Sequence, residues 1–220
     1  MTSQSTSFAL LPASAFVAAL LMMPPAFAAK FVTFDPPNSN DTYASAINRK
    51  GAVVGFFDVL DGDRHAFLRT PDGNLTSFDP PGCDYTTVAA VNRKGDIAGD
   101  SEDSNEPSMY HGFLRTADGG MIVFGPVGSI ATSVYALNSH DTTVGIWEDN
   151  QTYLHGFVRA SSGKIVNIDV SHASDTMPAV INDSGVIAGT YFAHNQVHAF
   201  LRTRDGAISN IDPPGATYVE

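Results

Sequence analysis

Residues 43–79 read YASAINRKGAVVGFFDVLDGDRHAFLRTPDGNLTSFD, and the pattern returns three more times. The second copy carries TVAAVNRKGDIAGD and YHGFLRTADGGMIVFGPV, the third SVYALNSHDTTVGIW and LHGFVRASSGKIVNIDV, and the fourth MPAVINDSGVIAGTY and VHAFLRTRDGAISNIDPP. Asn48, Asn92, Asn138 and Asn182 recur at intervals of 44, 46 and 44, and Gly55, Gly99, Gly145 and Gly189 keep the same intervals. His65, His111, His155 and His198 follow at 46, 44 and 43, as do Phe67, Phe113, Phe157 and Phe200. A fixed period of this length marks a repeat architecture.

Each copy is expected to form a meander of four short strands. Strand A ends at the Asn (43–48 in the first copy), and the turn Asn48-Arg49-Lys50-Gly51 follows, with residues that tolerate positive φ. Strand B is 52–57, strand C 65–70, and strand D 75–78 after the turn signal Pro71-Asp72-Gly73. Val, Ile, Phe, Thr and Tyr dominate these stretches, as strands require. Along strand C, His65, Phe67 and Arg69 face one way and Ala66, Leu68 and Thr70 the other. Both sides are largely apolar, which suits a sheet held between two others. The expected fold class is all-β: a β-propeller-like array of four-stranded antiparallel blades, about four repeats of 43–46 residues with partial repeats at both ends. An open β-sandwich or stacked array of the same hairpins is the alternative. At the N-terminal end, Phe31–Phe34 reads as a surplus strand D. The C-terminal Asp212-Pro213-Pro214-Gly215 retraces the linker Asp79-Pro80-Pro81-Gly82.

Composition bounds the rest. The 220 residues are 43% hydrophobic and 16% charged, with net charge −11, which argues against nucleic acid and anionic membranes as partners. One cysteine, Cys83, excludes an intramolecular disulfide framework. Residues 1–29 carry no charged side chain, Phe8–Met23 is apolar apart from Pro12 and Ser14, and Ala26-Phe27-Ala28 has the small-x-small form of a cleavage site. The expectation is a secretory signal over 1–29, cut near Ala28, then a single β-repeat domain over 30–220, secreted to the periplasm or the medium, with no membrane insertion after cleavage.

The segment His-[Ala/Gly]-Phe-[Leu/Val]-Arg, preceded by Ile-Asn-x-x-Gly-x-Ile-x-Gly, resembles the bacterial extracellular HAF-type repeat. His65-Ala66-Phe67 and His198-Ala199-Phe200 match it literally, and His111-Gly112-Phe113 and His155-Gly156-Phe157 are the Gly variant. The third copy departs most: Gly125 stands where the preceding linker has Asp, and Ser139-His140-Asp141 replaces a turn ending in Gly. The resemblance implies secretion and a propeller-like β fold. It implies no established activity and no catalytic residues.

The once-per-copy His, Asn and Arg residues are expected to be structural, with a ring of metal-binding histidines as the sharper alternative. The acidic B–C loops offer Asp58, Asp61 and Asp63 from the first copy and Asp100, Glu102 and Asp103 from the second. In a propeller these loops share one rim, so these six are the candidate ligands for a hard cation such as Ca²⁺. No cofactor is otherwise required. The functional expectation is a secreted non-enzymatic scaffold that binds an extracellular protein, glycan or surface. A propeller hydrolase acting on an extracellular polymer, with rim carboxylates as acid and base, is the alternative. Open edge strands also invite self-association.

Overall fold

The computed structural model describes residues 31–212 other than Pro107. The chain divides at Phe34/Asp35. In the first unit, the described residues 31–34 form no strand, and Phe31 and Val32 are exposed. The surplus strand D expected over Phe31–Phe34 is not formed as a strand at these described residues. The signal segment lies outside the described residues. Among the described residues there is no helix long and apolar enough to cross a membrane.

The unit from Asp35 onward is all-β, with sixteen strands and no helix among the described residues. The first sheet contains β1 (Asp41–Ile47), β2 (Val53–Asp58), β3 (Arg64–Arg69) and β4 (Leu75–Phe78). The second contains β5 (Cys83–Val91), β6 (Ile97–Asp103), β7 (Tyr110–Arg115) and β8 (Met121–Phe124). The third contains β9 (Ala131–Leu137), β10 (Thr143–Glu148), β11 (Leu154–Arg159) and β12 (Ile165–Ile168). The fourth contains β13 (Asp175–Ile181), β14 (Ile187–Ala193), β15 (Gln196–Arg202) and β16 (Ile208–Asn210). Within each, every strand pairs antiparallel with the next in sequence. Single parallel pairs join the first sheet to the second at Arg64↔Tyr85 and the second to the third at Tyr110↔Ala131. Between the third and fourth, the Asp175 carboxylate takes the Leu154 N–H instead, at 3.2 Å. No backbone pairing joins the fourth sheet to the first among the described strands. The array is propeller-like and unclosed.

The period-two alternation of a strand places one core on each side of a sheet. On β7, Phe113 packs toward the first sheet with Val54, Ala66, Val88 and Ile97, while its neighbour Leu114 packs toward the third with Ala98, Val134, Trp147 and Phe157. Val144, Ile168, Ile187 and Phe200 form the equivalent core between the third and fourth. Phe67, Phe113, Phe157 and Phe200 are completely buried. Each such side chain contributes roughly 1.5–3 kcal/mol by leaving water.

The repeating glycine follows from those rings. A Cβ on Gly55, Gly99 or Gly145 would lie 1.9–2.0 Å from the carbonyl oxygen of Tyr43, Thr87 or Ser133, and about 3 Å from the ring of Phe67, Phe113 or Phe157. On Gly189 it would meet the Met177 carbonyl at 2.3 Å and the Phe200 ring at 2.9 Å. In all four sheets the pairing of the innermost two strands shifts register at this level, as at Ala44/Ala46 and Pro178/Val180. The bulged strand's carbonyl and the phenylalanine ring together fill the space a Cβ would need.

Candidate functional site

The repeating polar residues are occupied by the fold. Each Asn closes its own turn: Asn92 Oδ1 accepts the N–H groups of Lys94, Gly95 and Asp96 at 2.9–3.0 Å. Its Nδ2 also donates to the Asn138 carbonyl at 3.3 Å, as Asn48 does to Asn92 at 3.2 Å and Asn138 to Asn182 at 3.2 Å. The turn role was expected; the ladder between sheets was not. The third copy's departure belongs to it. Asp141 holds the left-handed φ of 61° that glycine holds in the other three turns. Asp is among the residues that tolerate it. Its carboxylate accepts from Asn92 Nδ2 at 2.9 Å and pairs with Lys94.

The histidines are positioned by carboxylates. His65 Nδ1 lies 2.8 Å from Asp79, His155 Nδ1 3.0 Å from Asp169, and His198 Nδ1 2.6 Å from Asp212. Asp79 and Asp212 also accept the Ala66 and Ala199 N–H groups. The histidines were expected to be structural, and in these three copies the partner is the linker aspartate. The signal was available, since each pair is separated by 14 residues. The fourth histidine, His111, has Gly125 at the aspartate position. The Arg residues cover the preceding sheet's strand-D aromatics: the guanidinium of Arg115 sits 4.8 Å from the Phe78 ring centre, and that of Arg159 4.7 Å from Phe124.

The six candidate cation ligands do not form one cluster, although Asp63, Glu102 and Asp103 border the same cavity. Asp58 is held by Arg64 in a two-point ion pair, Nε to Oδ1 at 2.7 Å and Nη2 to Oδ2 at 3.1 Å, and that bond lowers its pKa. Asp61 is exposed and Asp63 half-buried on the loop after β2. Asp103 accepts the Asn105 N–H at 2.8 Å, which lowers its pKa. Asp100, Glu102 and Asp103 lie within β6 and not on a loop, because β6 runs on to Asp103. Asp100 faces the third sheet, accepting from Thr87 Oγ1 at 2.8 Å and from the Val134 N–H at 3.2 Å. Burial pushes its pKa up to about 6. Among the described residues no group of three or more His, Cys, Asp or Glu side chains is placed to hold a metal ion.

What the repeat does not dictate collects elsewhere. Where the first two sheets meet, Tyr43 stacks on Phe56 with ring centres 5.0 Å apart. The Arg64 guanidinium lies between Phe56 and Tyr85, 4.5 and 4.6 Å from the two ring centres. Tyr85 meets Tyr110 edge-on at 6.4 Å, and Tyr110 donates to Glu102 at 3.1 Å. Beside Tyr85 and Glu102 opens a cavity of about 230 Å³, bordered also by Asp63, Asp84 and Asp103. Tyr43 is 47% exposed, and Phe56, Tyr85 and Tyr110 are half-buried. The same register positions at the next seam hold Asp100, Tyr110 and Ala131, and at the third Ile146, Leu154 and Asp175. Part-exposed aromatic faces fixed by a buttressed guanidinium can stack against a flat or ring-shaped ligand. This cluster was not anticipated, because the copies were aligned for what they share.

No family profile matches the chain, and no curated protein matches it. Solved structures do. A catalytically inactive histidine variant of virginiamycin B lyase from Staphylococcus aureus, solved with quinupristin, aligns with a TM-score of 0.59 at 15% identity, covering 87% of this chain and 62% of that one. Selenomethionine-substituted virginiamycin B lyase from the same organism aligns at 0.52 and 16%, covering 82% and 58%. A streptogramin B lyase aligns at 0.52 and 17%, covering 81% and 56%. The chain thus spans about three-fifths of the length of these structures. At this identity the likeness establishes the propeller-like fold.

Proposed function

We propose that the protein is a secreted, non-enzymatic β-repeat scaffold of blades that binds an extracellular protein, glycan or surface. The binding region is the aromatic seam between the first and second repeats. One observation carries the reading: the residues that recur in every copy are consumed by hydrogen bonds and packing, while Tyr43, Phe56, Arg64, Tyr85 and Tyr110 form a part-exposed cluster that no other seam reproduces. Three of the five carboxylates around it are already bonded, Asp58 to Arg64, Glu102 to Tyr110 and the Ser108 N–H, and Asp103 to Asn105, while Asp63 and Asp84 border the cavity. That suits a binding surface better than the acid–base pair of a polymer hydrolase. The reading requires no cofactor.

The test is a glycan and protein-ligand array on the purified mature protein, repeated with Tyr43→Ala and Arg64→Ala. The expected result is a ligand retained by the parent and lost by both variants. Release of reducing ends from a bound polymer would favour the hydrolase, and binding indifferent to both substitutions would remove the seam from consideration.

A further inference from the structure

The net charge of −11 is divided between the two ends of the sheets. Strand A turns into B, and C into D, at one end. Every described Lys and Arg except Arg64 sits there, on these turns or on the last residue of strand C. The other end collects carboxylates: strand B finishes in Asp58, in Glu102-Asp103 and in Glu148, and strand A opens at Asp41 and Asp175. Salt confines the reach of an exposed charge to about 8–10 Å, so the basic end attracts small anions locally although the chain is acidic.

The third seam opens a cavity at that basic end. It measures about 500 Å³; Val166, Ile181 and Ile187 supply apolar wall, and Arg202, Arg204 and His140 supply polar lining. The arginine at this seam lacks the cover its equivalents have. Arg115 and Arg159 lie on Phe78 and Phe124 of the preceding sheet. Phe78 pairs with Ala66 and Phe124 with Gly112, and at the third seam the same register position, opposite Gly156, holds Ile168. Isoleucine offers a guanidinium no π face. Arg202 is left with no ring contact and no ion pair among the described residues, and it donates to the adjoining Thr203 carbonyl at 3.4 Å. Arg204 forms no ion pair among the described residues either, and its stem lies over Gly185, where a Cβ would stand 3.3 Å from its Cγ. The acids close by are engaged: Asp205 accepts the Thr203 hydroxyl, and Asp183 on the cavity wall accepts the Ser139 N–H at 2.9 Å.

We propose that this cavity is a binding site for a small organic oxyanion: a carboxylate, sulfate or phosphate carried on a compact apolar body. Arg202 and Arg204 hold the charged group, because a guanidinium fork matches two oxygens of such a group. Val166, Ile181 and Ile187 cover the body. The volume falls in the range of small-molecule sites. The chain's negative charge, adverse to a polyanion, does not oppose a small ligand that meets only these basic groups. The site lies at the opposite end of the sheets from the aromatic cluster and at a different seam, so neither reading depends on the other.

The experiment is isothermal titration calorimetry of the purified protein at physiological salt with phenyl phosphate, benzoate and inorganic phosphate, and with benzyl alcohol as the neutral control. Phenyl phosphate or benzoate is expected to bind in the millimolar range or tighter, and the preferred one identifies the anionic group. Inorganic phosphate should bind about tenfold more weakly than phenyl phosphate for want of the apolar body. Arg202→Gln and Arg204→Gln should each weaken the preferred anion about tenfold. Arg204 is exposed, so Arg204→Gln should melt as the parent does and keeps the test valid if Arg202→Gln is less stable. A parent that binds neither organic anion overturns the proposal, and so does benzyl alcohol bound as tightly as benzoate. Inorganic phosphate bound as tightly as phenyl phosphate overturns the role of the apolar wall. Binding lost in Arg64→Gln and kept in Arg204→Gln places the anion at the first seam and overturns this site.

Discussion

The first and third seams have the same core and different rims. Below, Phe113 and Phe200 occupy equivalent buried positions, each beside the residue that ends strand D of the preceding sheet. Above, the first seam presents Phe56, Arg64 and Tyr85, while the third presents Ile146, Leu154 and the Asp175 carboxylate bonded to the Leu154 N–H. A repeat protein keeps its period where sheets must interlock. It is free to vary where a seam reaches solvent, because a rim residue has fewer neighbours to satisfy.

That contrast can be broken at several points. The largest effect should come from the core: Phe113→Ala or Phe200→Ala should each lower stability by about 3–5 kcal/mol in chemical denaturation. If the seams are equivalent below the rim, the two losses will agree within about 1 kcal/mol. Next is Asp100 at the second seam. Its pKa of about 6 stands above the ordinary value of 3.8, so the folded state favours the protonated form. Stability from this group is therefore present at acid pH and lost as pH rises through about 6. Asp100→Asn should leave stability at pH 4 nearly unchanged and raise it at pH 8 by on the order of 2 kcal/mol, read from denaturation midpoints at the two values.

The asparagine ladder sharpens the comparison between inner and terminal sheets. Asn92→Ala removes both the turn acceptor and the link to the third sheet, and should cost about 1–3 kcal/mol. Asn182→Ala removes the turn acceptor alone and should cost about half as much. Equal losses would show that the cross-sheet bond contributes nothing. The smallest effect on folding belongs to the rim: Tyr43→Ala should change stability by less than about 0.5–1 kcal/mol while abolishing ligand retention. A large loss of stability would make Tyr43 part of the packing.

Much of this was legible from residue order, and particular residues show why the rest was not. The strand-D assignment at Leu75–Phe78 agrees with the structure to the residue. The other strands of the first sheet are displaced by one or two residues, since strand ends depend on pairing partners. The acids of the second copy were placed on a loop because charged residues in series read as solvated. The structure instead carries β6 through them and sets Asp100, half-buried, against the third sheet. The His–Asp spacing of 14 was present and unused, because its meaning depends on strands C and D lying side by side.

By itself the sequence determined the unit: its length, its four strands, its turns and the two apolar faces of each sheet. All of these follow from period-two alternation and local turn chemistry, which act between near neighbours. Tertiary structure alone decided which nonrepeating side chains meet. Arg64 and Tyr85 are separated by 21 positions and Tyr43 and Tyr110 by 67. They share a seam because rigid sheets stack face to face, and stacking is set by the volumes of the rings between them.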